Sequence, residues 1–514
     1  MKKSAGAKAA VGLAFLTLIS KVLGFIREIV ISYMYGASAM SDAYSMANSV
    51  AVLIITGLAS GIMTAYIPMA MEIHDGKERD VFASNILNTI VMATSVIAIV
   101  CIIFSRNIVS VLGMGFSEST KEYTAIILRF IFISSICIFI IYIITAILNT
   151  KGNFSFGGWQ LIITNLIFIF AVILSGNNAW NLGIGYFLAY LIPTIIAICV
   201  VKKYGFVYSP KISFRSRELK NLLLVSLIAF LGTNVIKFDI MIDRIFASNL
   251  QEGTVAAVNY AFTLISIFPE VFILSMATVG YPRLSEYYSA KNEKEFGVYI
   301  SNMIIQTVLI LLPITLAFLE MGKWGVEIMF QRGAFNARDT LLTTNILYGY
   351  SYSMLGIGMS YILCRAFFAR KEEWIPALSF GFGIVLNMGL NISYGKLGAY
   401  ELALTISISV FVSTIIMLIC LLFKVKKLNV LYLMVNFGKI LAASVVMFFI
   451  MRLGTYIFGS WIEGGSLLIK VVLIGSVVAV AGVIYLLILY LCKVDEVKVL
   501  ISRFEKKIKK EKAG

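Results

Sequence analysis

Residues 20–30 read SKVLGFIREIV, set between the apolar runs AVGLAFLTLI (10–19) and VISYMYGA (30–37). The whole stretch is long enough to cross a hydrocarbon core of about 30 Å as a helix. Lys21, Arg27 and Glu28 interrupt it. A charge near the bilayer centre costs at least about 2.5–3.5 kcal/mol on insertion scales. A helix that carries three must turn them toward something other than lipid. At 100° per residue Lys21 and Glu28 share a face, with Arg27 one step round from Glu28.

The rest of the chain follows the same plan. Of its 514 residues 60% are hydrophobic and 14% charged, with a mean hydropathy of +0.92. A soluble domain is about 45–50% apolar and about 25% charged. No polar stretch exceeds roughly 20 residues, whereas a soluble domain needs at least about 50. The chain is therefore read as an all-α polytopic membrane protein. Fourteen spans are expected, near 9–35, 43–70, 81–105, 122–149, 157–176, 180–201, 220–247, 253–281, 297–321, 340–368, 374–393, 399–423, 431–455 and 466–492. The start resembles a signal peptide, with a basic n-region, a short apolar run and ASA at 37–39. Lys21 and Arg27 lie between that run and the cleavage pattern, so the segment is expected to stay as the first span.

The connecting loops orient these spans. With the N-terminus on the cytoplasmic side, the inner loops and tail hold 29 of the 43 Lys and Arg and the outer loops hold six. That asymmetry is the positive-inside pattern, and it places both termini in the cytoplasm. The net charge of +16 is accounted for in this way, with no nucleic-acid partner implied. The basic tail puts Val494, Val497, Leu500, Ile501 and Phe504 on one helical face among lysines. It is read either as lying along the anionic inner leaflet or as a solvated stub. The six cysteines lie in or beside apolar segments without CxxC spacing and read as small buried hydrophobes. His74, the one histidine, sits in a polar loop.

The chain also echoes itself. TAYIPMAMEIHDGKERDVFASNILNTIV is answered by TVGYPRLSEYYSAKNEKEFGVYISNMIIQTV, and Asn165 in ITNLIFIF by Asn387 in VLNMGLNI, at offsets of 214–222 residues. Six spans per unit is even, so the copies should be parallel and related by an axis along the membrane normal. The expected division is an N-lobe at 1–205, a C-lobe at 206–425, two additional spans at 426–492 and the basic tail at 493–514.

Charges cluster in the first span of each repeat. Beyond Lys21, Arg27 and Glu28 they include Lys237, Asp239, Asp243 and Arg244, with Asp42 at a mouth. Asp239 and Asp243 share a face at i and i+4. Two readings stand. One is internal salt bridging, Arg27 with Asp42 or Asp243 with Arg244; the other is a water-filled cavity that receives an anion. Glu270 follows Pro269, which marks a hinge or a kink satisfied by neighbours. Catalysis is not expected: no outer loop groups carboxylates or histidines, and no Walker A or nucleotide-binding glycine pattern occurs.

SKVLGFIREIVISYMYGASAMSDAYSMA resembles the first-span signature of the MurJ (MviN) lipid II flippases, roughly S-R-x-L-G-x-x-R-[DE] ending in D-A-F. LASGIMTAYIP is similar to the family's second-span element, and DRIFASNLQEGTVAAVNYA and MFQRGAFNARDT to two of its later junctions. The resemblance implies the architecture of the multidrug/oligosaccharidyl-lipid/polysaccharide exporters: two six-helix lobes in parallel pseudo-two-fold repeat plus two C-terminal helices. It implies a flippase moving an undecaprenyl-diphosphate-linked cell-wall glycan precursor, lipid II first, between leaflets of the bacterial cytoplasmic membrane by alternating access. Cell-wall synthesis proteins are the implied partners. Lys21, Arg27, Glu28 and Lys237 would then meet the diphosphate, Asp42 would be a gating partner, and Pro269–Glu270 a hinge.

The family also suggests a sodium site at Asp239 or Asp243 with Asn387, Asn391 and Thr405, against the alternative that these polar groups only pack between helices. No other cofactor is expected. The pattern departs from the family at Lys21 for arginine, Ser60 for glutamate, and Phe262 and Thr263 for an Asp-Arg pair. Two further readings remain, export of another lipid-linked polysaccharide and a drug or cation antiporter of the same superfamily. A non-transporting scaffold is the last; it would keep its function when Arg27 is made Ala.

Overall fold

The computed structural model describes residues 2–210, 212–213, 217–425, 428–494 and 496, and they form helices and connecting turns, with no strand among them. Val497, Leu500, Ile501 and Phe504 of the expected amphipathic tail lie outside the described residues. Eleven helices are long and apolar enough to cross a membrane, or twelve if one bent pair counts as a single span. The first and seventh expected segments, the helix Lys2–Tyr35 and the pair Arg217–Thr233 and Val235–Ala247, are helical outside that count.

The chain divides into two compact units, Met1–Asn259 with Arg332–Asp339, and Tyr260–Gln331 with Thr340–Gly514. The first unit contains α1 (Lys2–Tyr35), α2 (Ala39–Val50), α3 (Thr56–Glu72), α4 (Gly76–Ile103), α5 (Ser105–Leu112), α6 (Glu118–Thr150), α7 (Phe156–Ser175), α8 (Ala179–Lys203), α9 (Arg217–Thr233) and α10 (Val235–Ala247). Its hub is α6, which packs on α2, α3, α4 and α8, while α7 packs on α1 and α8 and α9 on α3. The hub reads in the sequence as aliphatic residues on every face, and 78% of its most apolar stretch is buried. Polar caps start the helices: Ser117 accepts from Thr120 N for α6, Asn178 from Trp180 N for α8, and Asp75 from Lys77 N for α4.

The boundary crosses α11 (Thr254–Phe268) after Asn259. The second unit continues with α12 (Leu274–Ser289), α13 (Glu293–Phe330), α14 (Ala337–Ser351), α15 (Ser353–Ala369), α16 (Trp374–Ser393), α17 (Ala399–Lys424), α18 (Val430–Gly464) and α19 (Leu467–Leu491). Here α15 packs on α12, α13 and α17, and the α18–α19 pair packs on α13. Polar bonds fasten that pair. Thr455 Oγ1 donates to Glu320 Oε1 at 3.0 Å, Lys323 pairs with Glu463 at 3.4 Å, Lys470 pairs with Glu327, and Tyr485 Oη donates to Leu309 O at 2.8 Å. Only 17% of the most apolar stretch of α19 is buried, the signature of a lipid-facing helix.

Several elements differ from the sequence expectation. The ninth span does not end near 321: α13 runs to Phe330 because Met321, Val326 and Phe330 are buried at helical spacing, leaving a short turn where a long outer loop was expected. Likewise α18 reaches Gly464, with Thr455 and Ile462 buried. The 220–247 span breaks at Asn234, whose φ −114°, ψ 11° leave the helical region. The 340–368 span bends by 44° at Tyr352. There Ser351 and Ser353 hydroxyls donate back to Leu347 O and Tyr350 O, bonds that bend helices.

Two further spans each contain a π-helical stretch, Ala51–Ile55 between α2 and α3, and Pro269–Ile273 between α11 and α12. They start 218 residues apart, within the offset of the sequence echoes. At the second, Pro269 has no N–H to give the preceding turn, which frees the helix to widen. The expected hinge-or-kink at Pro269 and Glu270 is thus a π segment.

Candidate functional site

In the first unit the charges of α1 join a continuous polar chain. Arg27 and Glu28 are sequence neighbours, yet the long guanidinium curls back so that its Nη2 and Nε reach Glu28 Oε1 at 2.8 and 3.3 Å. Its Nη1 donates to Asn165 Oδ1 of α7 at 3.2 Å. The other Glu28 oxygen accepts from Asn259 Nδ2 of α11 at 2.6 Å, and Asn259 Oδ1 accepts from Arg244 Nη2 of α10 at 2.6 Å. Arg244 Nη1 goes on to Ser45 O at 3.0 Å and to the Ser49 hydroxyl, both on α2. Five helices therefore meet through one carboxylate, two guanidiniums and two amides. Glu28 and Arg244 are 4% and 7% exposed, so these bonds form where water screens little. Close by in sequence, the buried hydroxyls of Tyr44, Ser45 and Thr164 have no hydrogen-bond partner among the described residues. Groups of that kind are met by water or by a polar ligand.

Asp42 does not pair with Arg27, contrary to the salt-bridge expectation. Its two carboxylate oxygens accept from Gly253 N and Ala256 N, each at 2.7 Å, so it caps the N-terminus of α11 from another helix. A carboxylate at that end satisfies orphan amides and meets the positive end of the helix dipole. The surrounding loops interlock. Ala39 N donates to Glu252 Oε1 at 3.1 Å, Ala334 N to Tyr33 O at 2.8 Å, and Ala37 N to Asp339 Oδ2 at 3.2 Å. Gly36 has φ +62°, and a Cβ there would lie 2.6 Å from Ala334 O, so only glycine fits this approach.

The remaining expected residues are placed as follows. Lys21 is exposed and Lys237 half-buried, while Asp239 and Asp243 on α10 are 3% and 0% exposed. In the second unit Asn387, Asn391 and Thr405 do come together. Asn391 Nδ2 donates to Asn387 Oδ1 at 3.2 Å and Thr405 Oγ1 to Asn391 Oδ1 at 2.7 Å, all three residues being buried. Glu270 is half-buried and lies within electrostatic reach of the Tyr361 phenol. Sequence reading missed Asn259, Ser49 and the role of Asn165. Asn165 had surfaced only as a repeat echo, and nothing local distinguishes Asn259 from any polar residue near a helix start.

The model of the lipid II flippase MurJ family matches residues 31–472. This chain belongs to that family. A relative from Buchnera aphidicola subsp. Schizaphis graminum, described as probable lipid II flippase MurJ, is 25% identical over 97% of this chain and 99% of its own length. One from Vibrio cholerae with the same description is 24% identical over 79% and 81%. Among solved structures, lipid II flippase MurJ in an inward closed conformation superposes with a TM-score of 0.77 at 21% identity, covering 94% of this chain and 99% of that one. An inward-facing multidrug resistance MATE family transporter of the MOP superfamily gives 0.66 at 17%, covering 82% and 98%. At these identities the structural likeness is one of fold. Phe262 on α11 packs edge-on against Tyr350 at 6.0 Å between centroids.

Proposed function

We propose that this integral membrane protein is a flippase for an undecaprenyl-diphosphate-linked cell-wall glycan precursor, lipid II, carried from the inner to the outer leaflet by alternating access for peptidoglycan synthesis. The observation that carries the reading is the Arg27–Glu28–Asn259–Arg244 chain, with Arg27 half-buried at one end, in a member of this family. A diphosphate-sugar head cannot dissolve in hydrocarbon and needs cations and hydrogen-bond donors in place of water, whereas a prenyl tail needs only lipid. Arg27, with its side chain 28% exposed, has N–H donors beyond its bonds to Glu28 and Asn165 to offer a phosphate, while the buried Arg244 is held by Asn259 and α2. Lys21, exposed on the same helix, and Lys237 extend the cationic surface. Asp42 and the interlocked loops around it are the proposed gate, and the π segment at Pro269–Glu270 a proposed hinge.

The finer architecture belongs to the same proposal: fourteen spans, two parallel lobes with two additional helices, both termini cytoplasmic, and residence in the cytoplasmic membrane. Asn387, Asn391 and Thr405, gathered in the second unit, are the proposed oxygen donors of a sodium site.

Complementation tests the function. Expression in a bacterium depleted of its own lipid II flippase should restore growth, and Arg27→Ala at equal membrane abundance should not. Failure of well-inserted wild type rejects lipid II as cargo, and rescue by both rejects the role given to Arg27.

A further inference from the structure

Two arginines of the second unit are housed alike against aromatic rings, and only one of them is given an acid. Arg370 follows the last residue of α15. Its guanidinium carbon lies 5.2 Å from the Tyr288 ring centroid and 5.8 Å from that of Phe296. The rings cover its faces, and its edge finds an acid: Nε donates to Glu372 Oε2 at 3.2 Å, while Lys424 holds the other oxygen at 3.1 Å. Partial burial pushes the Glu372 carboxyl up, but the bonds from Lys424 and Arg370 prevail and hold it below the usual carboxylate range. Arg370 is thus given a carboxylate by the protein, through its Nε.

Arg365, five residues earlier, has the same housing without the acid. Its guanidinium carbon lies 5.7 Å from the Tyr281 centroid and 5.9 Å from that of Phe368, and the residue is half-buried. Among the described residues it makes no ion pair and no hydrogen bond. Aromatic faces satisfy a cation only through the plane of the guanidinium, leaving its five in-plane N–H donors to be met elsewhere. A lysine would serve to reach the membrane surface; a guanidinium fixed between rings instead presents an oriented edge, the geometry that binds a two-oxygen anion. At 1.5 Å per residue Arg365 sits about 6 Å along the axis from the α15 end, near the depth of lipid head groups. The oxyanions available at that depth are phosphates.

We infer that Arg365, framed by Tyr281 and Phe368, is a binding site for a phosphate or diphosphate group that the protein itself does not supply. In the orientation proposed above it lies on the cytoplasmic side, where an anionic head group would first meet the second unit. The site does for an outside ligand what the Arg370 site does for Glu372.

The test titrates the full chain, purified in neutral detergent, with inorganic pyrophosphate by calorimetry. Wild type is expected to bind at two classes of site, Arg27→Ala and Arg365→Ala at one each, and the double variant at none. Arg365→Lys, which keeps the charge and loses the fork, should weaken its class at least about tenfold. Because the Arg27 class is counted separately, failure of the proposed function and failure of this site are distinguishable. Ligand-free melting guards against a structural role: Arg365→Ala, which loses two ring contacts but no ion pair, should melt only slightly below wild type, whereas Arg370→Ala should melt clearly lower. Unchanged stoichiometry in Arg365→Ala overturns the inference, as does a melting temperature lowered as far as in Arg370→Ala with binding intact. The source of the phosphate is read in nanodiscs. Loss of the Arg365 class in phosphatidylglycerol but not phosphatidylcholine discs assigns it to bulk lipid head groups. Its persistence in both, with competition by undecaprenyl diphosphate, assigns it to a diphosphate lipid. Either result supports the site.

Discussion

Asn259 gives one end of its amide to a carboxylate and the other to a guanidinium. No other uncharged side chain of that length can do both, and aspartate would set a second carboxylate against Glu28. Asn259→Asp should therefore break a buried charge network, with a loss of about 3–5 kcal/mol, seen as a lower melting temperature and failed complementation. Adding Glu28→Gln supplies an amide that can donate to the new carboxylate, which keeps its bond to Arg244. The double variant should recover most of the melting temperature; if it melts no better than Asn259→Asp, the bridge is not organised as the distances indicate. At this scale the sequence is legible only where a residue is conspicuous. Arg27 and Glu28 stand out because charge is costly in an apolar run. Their partner Asn259 is 231 residues away from Glu28 and ordinary in its surroundings. The expected Arg27–Asp42 pair failed for a similar reason: Asp42 answers backbone amides at a helix start, and backbone amides leave no mark in a sequence.

The π segments make a prediction about elements. A π turn is an α-helix with one residue too many, so removing one residue from it should restore α-helix while keeping the register on either side. Val52 and Phe272 are 38% and 49% exposed, and no core packing depends on either. Deleting Val52 should leave insertion and melting close to wild type but slow lipid transport at least about tenfold in a reconstituted flipping assay, if that widened turn is where the span flexes. Deleting Thr64 from the regular part of the same span rotates everything beyond it by 100° and should abolish folding. Wild-type transport by the Val52 deletion would remove the segment from the mechanism. Apolar runs made the long helices readable, and Pro269 flagged one π segment. Ala51–Ile55 has no such marker. The break at Asn234 and the bend at Tyr352 depend on single backbone angles and hydroxyl bonds that hydropathy averages over.

For the whole molecule, class and family were legible from composition and from the motifs of the first and second spans, because both depend on residues close together in the chain. The division into units was not, since it follows contacts: the first unit extends through Asn259 and reclaims Arg332–Asp339, the turn after α13 and the first turn of α14. The fastening of α18 and α19 onto α13 bears on how the protein is made. Glu320 and Glu327 are made with α13, yet Thr455 and Lys470 come more than 100 residues later. At about 5–20 residues per second of synthesis, the newborn helix holds two carboxylates without their mates for roughly ten seconds. A chain stopped after Lys424 would hold them so permanently. It should be cleared by membrane proteases, with Glu320→Gln/Glu327→Gln prolonging its half-life in a pulse-chase; equal half-lives would show that these acids are not what is recognised. On the expected outcome the last two helices would act as a completion signal, telling the cell by the silence of two acids that translation reached its end.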